Sequence, residues 1–119
     1  MTRRGERGAV TAELALALPL LLALTVCLVW LISLGAAQVR VVDASREAAR
    51  VVARGDDPAR ASALARRVAP PGADVRISRT GGDVVVETSA RVAPPLGVLG
   101  DLGAVTLRSR AVAAAEEDR

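Results

Sequence analysis

What this chain lacks narrows its chemistry before any motif is read. It has no histidine, no tyrosine and no phenylalanine, one tryptophan and one cysteine among 119 residues. Every basic residue is an arginine. Without histidine there is no His-dependent triad, no imidazole general base and no His-containing metal site. Without lysine there is no Schiff-base chemistry. A lone cysteine, Cys27, cannot close a disulfide within one chain. The expectation is a protein that is not an enzyme and that holds no cofactor or metal.

The sequence pI near 10.8 suggests nucleic acid, but the formal net charge is only +3. The single aromatic, Trp30, lies in an apolar run, so no stacking platform accompanies the arginines. Nucleic-acid binding is not expected.

What the chain does have is one long uncharged stretch. Between Glu13 and Arg40 the only ionisable side chain is the Cys27 thiol, and most residues are Leu, Ala, Val or Ile. As a helix this stretch spans roughly 39 Å, enough to cross a hydrocarbon core of about 30 Å with some tilt. Leu14 to Ala37 is read as a transmembrane segment in contact with the lipid bilayer. Arg3, Arg4 and Arg7 on the short N-terminal flank place that end in the cytoplasm and the bulk of the chain outside, although Arg46 and Arg50 also lie near the membrane. Pro19, in the first turns of the apolar helix, is either a tolerated membrane proline or a kink that lets the helix repack outside the bilayer.

The pattern GAVTAE, residues 8 to 13, stands directly before this run and behind the basic leader MTRRGERG, residues 1 to 8. A glycine, four residues, a glutamate and a membrane helix have the form of a class III signal, cut by a prepilin peptidase between Gly8 and Ala9. Glycine before the scissile bond lets the backbone lie extended and close to a protease. Cleavage removes the three arginines and leaves a new amine on Ala9, one helical turn before Glu13. A carboxylate carried into hydrocarbon costs up to about 3 kcal/mol and calls for a partner. The amine of the same chain or of a neighbouring subunit supplies one; alternatively Glu13 only marks the interfacial end of the helix. Cys27 follows Val26, where a lipobox wants a small residue, and reads as an inert thiol. Gly35-Ala36-Ala37 offers a second processing route, by an ordinary signal peptidase, that would release a domain beginning at Gln38.

Beyond the membrane the helix is expected to continue, giving one long helix over roughly residues 10 to 54, with Val39, Val42, Ala49 and Val52 or Ala53 at helical spacing and Asp43/Arg46 and Glu47/Arg50 as (i, i+3) pairs. Gly55 supplies the stop. Asp57 caps a short second helix with Pro58 at its first position, running to about Val68, and Pro70-Pro71-Gly72 ends it. Alternation over Val75 to Arg79, a turn at Thr80-Gly81-Gly82-Asp83 and the Val/Thr-rich stretch Val84 to Val92 read as a hairpin. A Pro/Gly loop leads to a third strand from Val105 to about Val112, and the acidic tail Glu116 to Arg119 is expected to fray. The fold class is α+β: a long N-terminal helix, a short second helix and a small antiparallel three-stranded meander. The domain plan is a leader over 1–8, the long helix over 9–54 and a small extracytoplasmic αβ domain over 55–119.

The run RGAVTAELALALP, residues 7 to 19, with ASREAAR, residues 44 to 50, just past the membrane, resembles the TadE-like minor pilins or pseudopilins of tight-adherence pilus systems, in particular their short Arg- and Ala-rich actinobacterial members. The resemblance is specific over residues 7 to 55 and looser afterwards. It implies cleavage after Gly8 by a dedicated prepilin peptidase, no enzymatic activity, and a role in assembling a thin type IVb-like pilus. The implied partners are the major and other minor pilins and the membrane platform of the assembly system. Glu13 matches the family's glutamate; Leu14 stands where many members carry an aromatic. The alternative from another class is a single-pass binding protein that stays in the membrane and recognises a partner through its extracytoplasmic domain.

Overall fold

The computed structural model describes residues 3–97 and 103–116. Met1 and Thr2 of the leader, the middle of the loop before the last strand (98–102) and the end of the acidic tail (117–119) lie outside the described residues. The elements are α1 (Arg3–Ala53), α2 (Pro58–Val68), β1 (Asp74–Thr80), β2 (Asp83–Val92), a 3-10 turn (Pro95–Gly97) and β3 (Val105–Ala114). This is the α+β arrangement of a long apolar helix, a short helix and an antiparallel three-stranded sheet. The chain divides into two compact units, residues 1–32 and 33–119, and α1 contributes to both.

The described part of the first unit, residues 3–32, is helix alone. The helix begins at Arg3 rather than near residue 10, because nothing in RRGERGAV opposes helix strongly enough to end it: Gly5 and Gly8 weaken the turn and Arg, Glu and Ala restore it. Pro19 is inside the helix, which continues through it. Large apolar side chains are exposed all round, Leu16 at 77% and Ile32 at 73%. Among the described residues this is the one helix long and apolar enough to cross a membrane.

The second unit has a core of its own. The last part of α1 buries Val41, Ala44, Ser45, Ala48 and Val52, a 3.6-period stripe that recurs at three and four residues. Ala49 and Val52 are buried as expected, but the start of the stripe differs: Val39 is 60% exposed and Val42 only half-buried, while Val41 and Ala44 are fully buried. Periodicity alone could not choose between adjacent registers, since Val occupies 39, 41 and 42; contact with the sheet chose. Of the two anticipated pairs, Arg50 donates to Glu47 at 2.6 Å. The helix ends in a Schellman motif. Gly55 has φ +92, its N–H donates to the Val52 carbonyl at 3.0 Å, and the Asp56 N–H reaches the Val51 carbonyl at 3.3 Å.

Helix α2 starts as its residues dictate. Asp57 is the N-cap and accepts from the Ala59 N–H at 3.1 Å, with Pro58 next. It buries Ala61 and Ala65. The sheet order is β1-β2-β3, all antiparallel, with Thr80 opposite Asp83 across the Gly81-Gly82 turn. Both turn glycines have positive φ, +60 and +89, as a two-residue hairpin loop of this hand requires. One face of the sheet presents Val75, Val84, Val86, Thr88 and Ala90 to the core; the other carries Asp74, Arg76, Glu87, Arg108 and Arg110. The core is made of small residues. Its largest fully buried side chains are valines together with Thr88 and Ser45, and alanines at 44, 48, 61 and 65 have no exposure, which lets helix and sheet backbones approach closely.

Candidate processing and anchoring segment

The sequence-derived site residues Gly8, Ala9, Glu13 and Pro19 all lie in the first unit, on one helix. Gly8 and Ala9 are exposed, and a Cβ added at Gly8 would meet nothing within 4 Å. The glycine is therefore not required by packing. The bond after it is instead enclosed in a helical turn. The Thr11 hydroxyl donates to the Arg7 carbonyl at 2.8 Å, across the Gly8–Ala9 peptide. Such a back-bond to the carbonyl four residues earlier holds a helical turn by its side chain. A protease that reads an extended strand must first open this turn, and Gly8 lowers the cost of opening by about 1 kcal/mol relative to Ala. The sequence reading missed Thr11; a hydroxyl four residues after Arg7 was the available signal.

Glu13 is exposed and its carboxylate has no partner among the described residues. Ala9 precedes it by four residues, about 6 Å of rise and slightly more than one full turn, so an amine on Ala9 would stand over the Glu13 side of the helix. Pro19 lies six residues beyond Glu13 and withholds one N–H from the ladder. Further along, the Thr25 hydroxyl donates to the Leu21 carbonyl at 2.8 Å, which satisfies the one other polar side chain of the early apolar run inside its own helix. Cys27 is exposed as a free thiol. The Trp30 indole N–H is shielded without a hydrogen-bond partner among the described residues.

Comparison with known proteins bears on the same segment. The family model described as TadE-like protein matches residues 8–50. Residues 8–50 are TadE-like. The matched segment begins at Gly8 and runs through the apolar helix to Arg50, so it takes in Glu13, Pro19 and the ASREAAR stretch, and it leaves the second helix and the sheet outside. A relative in Mycobacterium tuberculosis, named apoptosis inhibitor Rv3655c, is 44% identical over 79 residues, which is 66% of this chain and 62% of the relative. The match thus spans less than two thirds of that relative's length. No solved structure matches the chain.

Proposed function

We propose that this protein is a TadE-like minor pilin or pseudopilin, cut between Gly8 and Ala9 by a prepilin peptidase and acting, without enzymatic activity of its own, in assembly of a tight-adherence, type IV-like pilus. The observation that carries the reading is the position of the TadE-like match, which opens on the glycine that stands five residues before Glu13 and an exposed apolar helix. In this reading α1 is first a membrane anchor, with its arginine-bearing N-terminus in the cytoplasm and the second unit outside. Cleavage then removes Arg3, Arg4 and Arg7 and allows the helix to leave the bilayer for a bundle of pilin helices. There the Ala9 amine of one subunit meets Glu13 of its own chain or of a neighbour. The partners are the peptidase, the major and other minor pilins, and the membrane platform of the assembly system.

N-terminal sequencing or intact mass of the membrane-extracted protein tests this directly. The expected mature chain begins at Ala9, and Gly8→Arg yields an uncut chain. Because space around Gly8 is open, that variant keeps its helix. A wild-type chain that stays uncut beside an active prepilin peptidase overturns the reading. Glu13→Ala is expected to be cut normally and to lose co-purification with other pilins, since before cleavage the carboxylate has no partner among the described residues. Undiminished co-purification would assign Glu13 to the membrane edge only.

The helix itself favours a second reading. It runs unbroken through Gly8–Ala9 with the Thr11 hydroxyl across the bond, and a chain that keeps this turn closed stays whole as a single-pass binding protein. The name of the mycobacterial relative, an apoptosis inhibitor, is compatible with a protein that acts by binding. An uncut chain that retains the whole protein in the membrane is the outcome expected from it. Release of a soluble form beginning at Gln38 would instead point to processing after Ala37.

A further inference from the structure

The sheet of the second unit has two edges, β1 and β3, and the β3 edge is pinned at two points. The Gln38 side-chain amide donates to the Arg108 carbonyl at 3.3 Å, and the Glu116 N–H donates to the Ala53 carbonyl at 3.1 Å. Backbone groups of a strand alternate sides, so these two bonds show that the even-numbered residues of β3 point away from β2. The inward bond from the Ala115 N–H to the Gly82 carbonyl, 3.0 Å, agrees with this parity. Between the pinned points, the outward N–H and C=O groups of Arg110, Val112 and Ala114 have no protein partner among the described residues. Of these three residues Val112 lines a groove of about 490 Å³, together with Ala111 and Ala113, with Arg46 and Arg50 of α1 and with Val68 of α2. Val112 is 57% exposed.

The opposite edge is its complement. Thr80 and Asp83 close a two-residue hairpin, so the even residues of β1 bond to β2 and the outward groups belong to Val75, Ile77 and Arg79. No backbone bond is made on that outer side among the described residues. Since β1 and β3 are both antiparallel to β2, they are parallel to one another.

We propose that the second units of successive copies join edge to edge, β3 of one copy pairing in parallel with β1 of the next. Direction argues for this arrangement over a two-fold pair. Two β3 strands paired antiparallel about a dyad would reverse the 33–53 part of α1, which runs along β3 from Arg108 at Gln38 to Glu116 at Ala53. The two Ser33 ends, each continuous with a membrane-type segment, would then leave in opposite directions. Parallel addition by translation keeps them together. Charge and side-chain size argue for the register. With Arg110 beside Asp74 of the next copy, Val112 lies beside Arg76 and Ala114 beside Ser78. On the core side, the small Ala111 and Ala113 meet Val75 and Ile77. In that register the N–H of Val112 donates to the next copy's Val75 carbonyl, and the next copy's Ile77 N–H donates to the Val112 carbonyl, so the unpaired stretch is used in full. Cleavage at Gly8 is not required for any of this.

The test is disulfide trapping in the full-length protein, in its own membranes and in detergent, with Cys27→Ser as background. Neighbouring strands lie about 4.8 Å apart, within the Cα range a disulfide accepts. Within one copy, positions 76 and 112 are on non-adjacent strands and two rows apart, so no internal bridge forms. The double variant Arg76→Cys/Val112→Cys is expected to give a ladder of dimers, trimers and higher species on mild oxidation, and each single variant to stay monomeric. Adding Ala114→Pro removes only an outward N–H, which an edge strand tolerates, and is expected to abolish the ladder while amide exchange of the sheet remains slow. Efficient dimers from Val112→Cys alone would overturn the proposal in favour of a two-fold pair. A double variant that stays monomeric, or a folded Ala114→Pro chain that still ladders, would overturn edge pairing altogether.

Discussion

Helix α1 serves two regions that bury their apolar side chains in different ways. Along residues 3–32 the helix is apolar on every side beyond Glu13 and covers almost none of it, with Leu16, Leu20 and Ile32 more than two thirds exposed. Along 41–53 Val41, Ala44, Ser45, Ala48 and Val52 are buried, and Asp43, Arg46 and Arg50 are exposed. The composition shifts from Leu to Ala and Val at the same place, for a physical reason. Lipid or a helix bundle accepts bulky leucines in any direction, whereas a three-stranded sheet at close range has room only for small residues. A helix can therefore change environment midway without a break in its backbone, provided its side chains change size and period.

The comparison breaks most sharply at the centre of the apolar half. Leu22→Arg is expected to cost on the order of 3 kcal/mol in membrane insertion and to shift the chain out of the membrane fraction, while amide exchange in the 33–116 sheet stays as in the wild type. In the other half the dependence inverts. Ala48→Leu forces extra volume into a fully buried position and is expected to lower the stability of the second unit by about 1–3 kcal/mol, read by denaturant-dependent exchange, with membrane partition unchanged. The same Ala→Leu change at Ala23, exposed in the apolar half, should leave both readouts unaltered.

Asp57→Ala tests local structure in the second unit. It removes the acceptor for the Ala59 N–H and is expected to cost about 1 kcal/mol, with early loss of protection in α2. A small gain is expected at Thr88, whose hydroxyl is buried in the small core without a hydrogen-bond partner among the described residues. Thr88→Val keeps the shape and removes an unpaired polar atom, so stability should rise, by up to about 1 kcal/mol. A clear loss of stability would mean that the hydroxyl is hydrogen-bonded in solution.

Much of this architecture was legible before any coordinates. Gly55 ends the first helix and Asp57-Pro58 starts the second where local capping chemistry places them. Gly81-Gly82 sets the hairpin, and the strand boundaries follow Val and Thr alternation to within two residues. These are local signals, each carried by one or two residues with strong backbone preferences. The start of α1 was not legible, because Arg3 to Gly8 is weakly helical and only continuity with the stable helix behind it decides its state. The first turn of the buried stripe of α1 was not legible either, since valines at 39, 41 and 42 allow neighbouring faces, whereas Ala49 and Val52 were.

By itself the sequence determined the apolar span, the absence of His- and Lys-based chemistry, the Gly8-to-Glu13 spacing and the order of helices and strands. All of these depend on residue identity at short range. Only the tertiary structure decided which stripe of α1 faces the sheet, that Gln38 and Ala53 hold the two ends of the β3 edge, and that between them the outward backbone groups of Arg110, Val112 and Ala114 have no partner among the described residues. Those facts join residues about 60 to 70 positions apart. Contacts at that separation depend on how side chains of particular size fit together in space, which no periodicity along the chain encodes.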